Sequence, residues 1–400
     1  MSFDGVIINK GQGGLNRSET STDAVMALVA FVNAPLTNAP EEVIELTSIL
    51  AAEALGFDAA YDANKAILLH YHIAEFFRLA PNGTLKLIVT EIATAKAFFE
   101  SATAKALIRA NTDIKRIGFV YNADGVALDL VAEINACQLF INELFLDKIY
   151  LNGIYLEARN VSKDAISRRT LTAGKVSLII AQDPAIASLD AAYAHYAAVG
   201  SILGMRAARK VNENLGSVDI ITKPNERKGE QTYPLTDSLR GLWLSAALSD
   251  GTLVSSLTNV EKNTLTANGY IYAGSFQGFA GVYLNGEPTC IAISSDYSTG
   301  ENNGVWDKAA LRIRNALLPK VRGWFQRNPT TGKLKDTAIT DLENIGKKPL
   351  QAMLVAAEIS GFDLVIPAGQ NPNDQTPLLV KTTVTLGAII HTFEVDLSLN

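Results

Sequence analysis

The residue types able to do chemistry are few in this sequence, and their spacing is the first evidence. Gly11, Gly13 and Gly14 lie in GQGGLNRS, a glycine-rich loop of the kind that can cradle phosphate. The loop lacks the Gly-Lys-Ser/Thr that reaches phosphate and magnesium, and Asn16 stands where a dinucleotide fingerprint needs its third glycine. It reads better as a flexible hinge after a short apolar run. His70 and His72 are two residues apart, roughly 200° apart on a helix, and cannot share a metal. His72 and Glu75 share a face, but two ligands do not make a zinc site. His195 and His391 stand alone. The nearest approach to a nucleophile elbow is AGSFQG, where Ala273 takes the place of the first glycine. Cys137 and Cys290 sit in apolar runs without a neighbouring histidine, which favours an inert, protonated thiol. No catalytic, cofactor-binding or metal-binding constellation emerges, and the residues point away from an enzyme.

The elements that would position such residues read as an α/β chain. Asp62–Leu79 and Lys96–Ala110 have helical periodicity, as do Glu41–Gly56, Val131–Leu146 and a long Ala/Gly-rich stretch, Leu189–Asn214. Between them come short apolar runs that read as strands: Leu85–Ile92, Ile117–Tyr121, Ile154–Ala158 and Val176–Gln182. Gly200 and Gly204 would let another backbone approach closely. A polar, breaker-rich stretch at Lys223–Pro234 marks a loop or boundary. It is followed by a helix near Thr258–Ala267 and strands at Tyr270–Ser275, Gly281–Asn285 and Thr289–Ser294. A helix over Trp306–Leu318 stops at Pro319. On its wheel Trp306, Ala310, Ile313 and Leu317 share one face, while Lys308, Arg312 and Asn315 share the other.

Four hundred residues, 48% apolar and 19% charged, can bury a large core. A net charge of −6 argues against nucleic acid as the main partner. The opening MSFDGVIINK lacks the pattern of a signal peptide, and no apolar run is long enough to span a membrane. Two cysteines fit a reducing compartment.

Both ends are patterned as strands. Val6, Ile7 and Ile8 form an apolar run before the glycine loop. From Phe393 the alternation is strict: Phe393, Val395, Leu397 and Leu399 on one side, Glu394, Asp396 and Ser398 on the other. A strand written into a terminus needs a sheet edge to dock on, in the same subunit or a neighbour.

Several segments, taken in order, resemble contractile tail sheath proteins. They are GVIINKGQGGL (Gly5–Leu15), YHIAEFFRLAPNGTL (Tyr71–Leu85), RKVNENLGSV (Arg209–Val218), GYIYAGSFQGFAGVYLNGEPTC (Gly269–Cys290) and GVWDKAALRIRNALLPKV (Gly304–Val321). Such proteins occur in contractile phages, prophages and related injection systems. The resemblance implies an α/β fold of mixed α+β character, a sheath-like core of mixed sheets flanked by helices with extended strand arms at both termini. It implies an N-terminal arm and linker over 1–20, an α/β region over 21–230 with an outward-facing insertion near 85–185, a sheath-like domain over 231–380 and a C-terminal arm over 381–400. It implies a structural subunit without cofactors that polymerises around an inner tail tube protein and contracts, with baseplate and tail terminator proteins as further partners. Such a subunit is made in the bacterial cytoplasm and ends in the tail of the particle. Val6–Ile8 and Phe393, Val395, Leu397 and Leu399 become strands given to neighbours, Gly11, Gly13 and Gly14 a hinge, and Lys308 and Arg312 a contact with the tube. The competing expectations are an α/β enzyme or ligand-binding protein with a deep polar pocket, or another lattice-forming virion protein.

Overall fold

VMALVAF, Val25–Phe31, is β1 and lies inside the main sheet. An unbroken apolar run has no polar face to offer water, so as a strand it must be covered on both sides. Met26 to Ala30 are all buried. The computed structural model describes residues 22–33, 42–122, 129–373 and 376–398. In it, β1 is joined by β2 (Val43–Leu46), β3 (Thr84–Thr90), β4 (Arg116–Val120), β5 (Gly153–Glu157), β6 (Val176–Ile179) and β7 (Tyr270–Ile271). The order is β7-β6-β5-β4-β1-β3-β2, parallel throughout except for β2, which runs antiparallel along β3. The strands expected at Leu85–Ile92, Ile117–Tyr121, Ile154–Ala158 and Val176–Gln182 each contribute to one sheet with β1, while Ala181–Gln182 pairs separately with Ala247–Leu248.

The helices are α1 (Ile49–Ala54), α2 (Ala59–Lys65), α3 (Leu69–Leu79), α4 (Ala95–Glu100), α5 (Ala102–Ala110), α6 (Leu130–Leu146), a short α7 (Pro184–Ala187), α8 (Val199–Ala207), α9 (Asn259–Ala267), α10 (Gly300–Leu317) and α11 (Asp336–Val355). Successive strand residues face opposite sides. A side chain at Gly118 would strike Val199 and Leu203 of α8. Its neighbour Phe119 packs its ring near those of Phe98 and Phe99 of α4. Helices therefore cover both faces of the sheet.

Local chemistry explains where the elements differ from expectation. Glu41–Gly56 is not one helix: Val43–Leu46 pairs with β3, with Val43 opposite Ile88, and Ser48 caps the shorter α1. Asp62–Leu79 breaks at Ala66 (φ 55°), and the Asp62 carboxylate accepts the amides of His70 and Tyr71, capping the next helix. Ser101 divides Lys96–Ala110 in the same way by accepting the amide of Ala104. Leu189–Asn214 yields only a turn at Ala191–Tyr193 and α8. After α8 the buried Arg209 guanidinium donates to the carbonyls of Met205, Asn214 and Ser217, folding the chain back. The expected close approach at Gly200 is present. A Cβ there would lie 2.2 Å from the carbonyl oxygen of His72 on α3, and one at Gly204 2.9 Å from that of Phe76.

Beyond β7 the chain forms short ladders, Ala273–Gly274 with Tyr283–Leu284 and Cys290–Ile291 with Thr172–Ala173. It then enters α10, α11 and a hairpin of β8 (Gly361–Val365) and β9 (Lys381–Thr385). These last elements share a core of Val305, Ala309, Leu350, Met353, Ile359 and Leu364. They are fixed to the main sheet through a buried charge cluster. The Glu287 carboxylate pairs with Arg116 and Arg206 and accepts the Tyr155 hydroxyl at 2.8 Å, while Arg116 donates to the carbonyl of Gly300 at 2.7 Å.

Candidate functional site

Cys137, Cys290 and His72 are all buried. Burial pushes the Cys290 thiol up to about 12 and that of Cys137 well above its usual value. His72 is fully buried, which lowers its pKa to about 3, and its Nδ1 accepts the amide of Gly200 at 3.2 Å. Glu75 is taken by Arg78, by the Ser201 hydroxyl at 2.8 Å and by the Trp243 indole at 3.0 Å. Among the described residues no three His, Cys, Asp or Glu side chains are placed to hold a metal. The order of β4, β1 and β3 creates a switch point, where open α/β sheets bind ligands at the carboxyl ends of the strands. Here Asn122 donates to the carbonyl of Phe31 and accepts the amide of Leu68. The buried Glu157 accepts the amides of Tyr121 and Ala197 and pairs with Arg159. Asn122 and Glu157 are thus engaged by other groups of the chain.

The site with unmet binding capacity is the C-terminal hairpin and the chain leaving it. Among the described residues the β8–β9 ladder has two strands, so each keeps one edge without a strand partner there. Such a hairpin is marginal alone. This one is held by Leu364, fully buried against α10 and α11, with Phe362 and Val384 half-buried beside it. β9, KTTVT, is exposed apart from Val384, and its β-branched residues favour extended pairing. Next to the hairpin an apolar groove of about 630 Å³ runs past Leu317, Val321, Phe325, Leu342, Ile366 and Leu378, with Lys320 and Arg322 also lining it.

After Thr385 the chain passes over α10 through residue 389 and then departs. The strand expected from Phe393 is not formed within the subunit: residues 386–398 have no regular structure. Phe393, Val395 and Leu397 are 79%, 79% and 87% exposed, so the alternation has no buried side. The physical reason is that no sheet edge among the described residues lies beside them, and a strand without a ladder has nothing to satisfy its amides. Lys381–Thr385, expected as the start of an arm, belongs to the hairpin. Val6, Ile7, Ile8, Gly11, Gly13, Gly14 and Leu399 lie outside the described residues.

The helix carrying Lys308 and Arg312 is placed differently from its wheel. Lys308 is not on a free face: its ammonium pairs with Asp23 and, at 2.6 Å, with Glu358, and only 12% of the side chain is exposed. Arg312 stands 3.7 Å from Glu358 at the outer side of the cluster. Trp306, expected in the core, is 40% exposed beside the rings of Phe145 and Tyr297. The wheel assumed that polar means outward. In the structure the start of α10 is buried, and Asp307 there pairs with Lys175 at 2.7 Å. Sequence spacing could not show this pairing, because the partners are 132 residues apart.

Residues 3–286 match the DUF2586 N-terminal domain and residues 296–400 the DUF2586 C-terminal domain. No curated protein matches the chain. Among solved structures it is similar to the helical sheath of the anti-feeding prophage in its contracted state, with 15% identity, a TM-score of 0.63 and full coverage of both chains. It is also similar to the contracted sheath complex of the extracellular contractile injection system PVC, with 11% identity, a TM-score of 0.57, and 100% and 98% coverage. A sheath tail protein from Listeria innocua has 9% identity and a TM-score of 0.51, over 91% of this chain and 95% of that one. The chain therefore belongs to the DUF2586 family, and its fold is that of contractile sheath proteins.

Proposed function

We propose that this chain is a structural subunit of a contractile sheath, which polymerises around an inner tube and contracts to drive that tube through a target envelope. The observation that carries the reading is an unpaired, alternately apolar chain end on a subunit whose hairpin keeps open edges. In β-augmentation main-chain bonds supply affinity and alternate side chains fill pockets. Phe393, Val395 and Leu397 of one copy would lie along the hairpin and apolar groove of the next. The N-terminal run Val6–Ile8, linked through Gly11, Gly13 and Gly14, would supply a second arm.

The ion-pair cluster supports a mechanical role. Asp23, close to where the N-terminal arm joins the body, and Glu358, just before the hairpin, are both held by Lys308. Load on one arm would reach the root of the other through one helix. Contraction is then a rigid-body repacking of subunits that stay linked. With Lys308 engaged internally, Arg312 is the remaining candidate for meeting acidic groups of the tube. Baseplate and tail terminator proteins would close the ends, and assembly would take place in the cytoplasm of the producing bacterium. No helix among the described residues is long and apolar enough to cross a membrane. The similar helical sheath and sheath complex support self-assembly.

Negative-stain imaging of the purified full chain tests the proposal. Tubes or stacked rings are expected as concentration rises. A monomer or small closed oligomer at every concentration would overturn it.

A further inference from the structure

Trp324 stands on the turn that follows α10 and is 83% exposed, and among the described residues its indole N–H makes no hydrogen bond. Leu318 and Val321 beside it are 49% and 64% exposed. Lys320 and Arg322 are exposed as well, and neither has an ion-pair partner among the described residues. A tryptophan flanked by a free arginine has the composition of an interface anchor. The ring brings a large apolar area with one donor, and the guanidinium brings charge. Apolar area of this size favours being covered.

At the start of α10 lies a cleft with complementary needs. It measures about 260 Å³ and is walled by Phe145, Ile291, Tyr297 and Trp306, with Asn303 beside them. Phe145, Tyr297 and Trp306 are 37%, 40% and 40% exposed, and the Trp306 ring centre lies 5.9 Å from that of Phe145 and 6.3 Å from that of Tyr297. Asn303 is 1% exposed. Its Nδ2 donates to the carbonyls of Gly174, Tyr297 and Thr299, which fixes how the amide is turned, and its Oδ1 has no donor. Water satisfies such an oxygen but leaves the rings uncovered. Two of the rings already have cations nearby. Lys148 is 5.9 Å from the centre of Phe145, and Lys175, itself paired with Asp307, is 5.8 Å from that of Trp306. The guest that suits the cleft is therefore neutral, aromatic and a hydrogen-bond donor. The volume falls below the roughly 300–1,000 Å³ of a small-molecule site and suits one large side chain.

We propose that this cleft receives Trp324 of a second copy of the chain, ring against ring, with the indole N–H donating to Asn303 Oδ1. Among the described residues the exposed aromatic side chains outside the cleft are Phe276, Phe279, Trp324 and Phe393, and of these Trp324 alone carries a donor. Charge favours the same pairing. Residues 308–355 hold ten Lys and Arg against three Asp and Glu, in a chain whose net charge is −6, so this end of one copy is drawn to the acidic remainder of another. Next to Tyr297 the Asp296 carboxylate is exposed, has no partner among the described residues and is available to Arg322. Asn303 to Leu317 spans about 21 Å of helix, so the anchor follows one end of α10 and the cleft lies at the other. Used head to tail, such a contact repeats into rings or helical arrays. It needs neither terminal strand and goes beyond the arm exchange proposed above.

The test follows association of the full chain by light scattering as concentration rises. Trp324→Ala should leave the melting temperature of the dilute protein unmoved, because the side chain is exposed. It should raise the concentration at half-association at least about tenfold, the scale of one interface anchor. A second arm places the photoreactive analogue p-benzoylphenylalanine at position 324, mixes that chain with isotope-labelled unaltered chain, and maps the adducts by mass spectrometry. Adducts are expected from position 324 to residues 138–145, 291–297 or 303–306 of the labelled copy. Unchanged association of Trp324→Ala, or adducts confined to other surfaces, would overturn the proposal. Particle shape keeps the two readings apart. Tubes with adducts elsewhere sink the cleft contact alone, and small closed oligomers with adducts in the cleft sink the sheath alone.

Discussion

Cutting the chain after Ile389 should abolish assembly while leaving the subunit folded. The position of the cut matters. Lys381–Thr385 is half of the hairpin, and Val384 and Leu386 pack on the core beside Leu364, so a cut near residue 381 would damage the fold itself. Beyond residue 389, Ile390 is 64% exposed and Phe393, Val395 and Leu397 are more so, without a backbone ladder. Their loss should cost the monomer less than about 1 kcal/mol, within the range of ordinary surface changes. In an assembly the same residues would make about four to six main-chain bonds, roughly 2–8 kcal/mol net at 0.5–1.5 each. Burying three largely exposed apolar side chains adds roughly 4–7 kcal/mol. Against an association cost of about 4–15 kcal/mol, one arm is marginal alone, yet its removal is decisive in a lattice. Even the low sum, about 6 kcal/mol, raises the critical concentration about 10⁴-fold. Thermal melts and electron microscopy at matched concentration provide the assay, with Val395→Asp against Glu394→Ala as the side-specific pair. The apolar-side change should block polymerisation and the polar-side change should not. Normal sheaths from the truncated chain, or equal effects of the two substitutions, would refute the reasoning.

Other predictions concern the subunit alone. Gly200→Ala forces a methyl within 2.2 Å of the carbonyl oxygen of His72 and should prise α3 from α8, lowering stability by about 2–4 kcal/mol in chemical denaturation. An unchanged midpoint would show that the helices can separate freely. Lys308→Met leaves Asp23 and Glu358 without their shared cation, and a loss of about 2–4 kcal/mol is expected. The His72 pKa, lowered by burial from 6.5 to about 3, makes stability fall as pH drops from 6.5 toward 3. The Asp62 pKa, raised by burial from 3.8 to about 6, makes stability rise as pH drops from 6 toward 3.8. The two slopes, each about 1.36 kcal/mol per pH unit, oppose one another between pH 4 and 6. Asp62→Asn should therefore steepen the acid loss in that window by about that amount, and parallel profiles would contradict the assignment.

How much of this was legible follows from which residues carry each feature. β3 to β6 were readable because each is a short apolar run bounded by breakers and separated by helical periods. Gly200 and Gly204 announced close packing because only glycine tolerates it. β1 was hidden because VMALVAF has no alternation, and a continuous apolar run looks alike in a strand and a buried helix. In α11 the buried Ile339, Leu342, Leu350 and Met353 keep helical spacing, but Gly346 and Pro349 interrupt the pattern. α10 misled because its buried face holds charges whose partners come from elsewhere in the chain. The C-terminal alternation is a different case. Its period is that of a strand, and no strand forms there, because a strand needs an edge and no described residue of the subunit places one beside it. We propose that strict alternation which makes no ladder among the described residues serves a second chain's sheet. That is why the terminal pattern bears on assembly more directly than any feature of the subunit's own core.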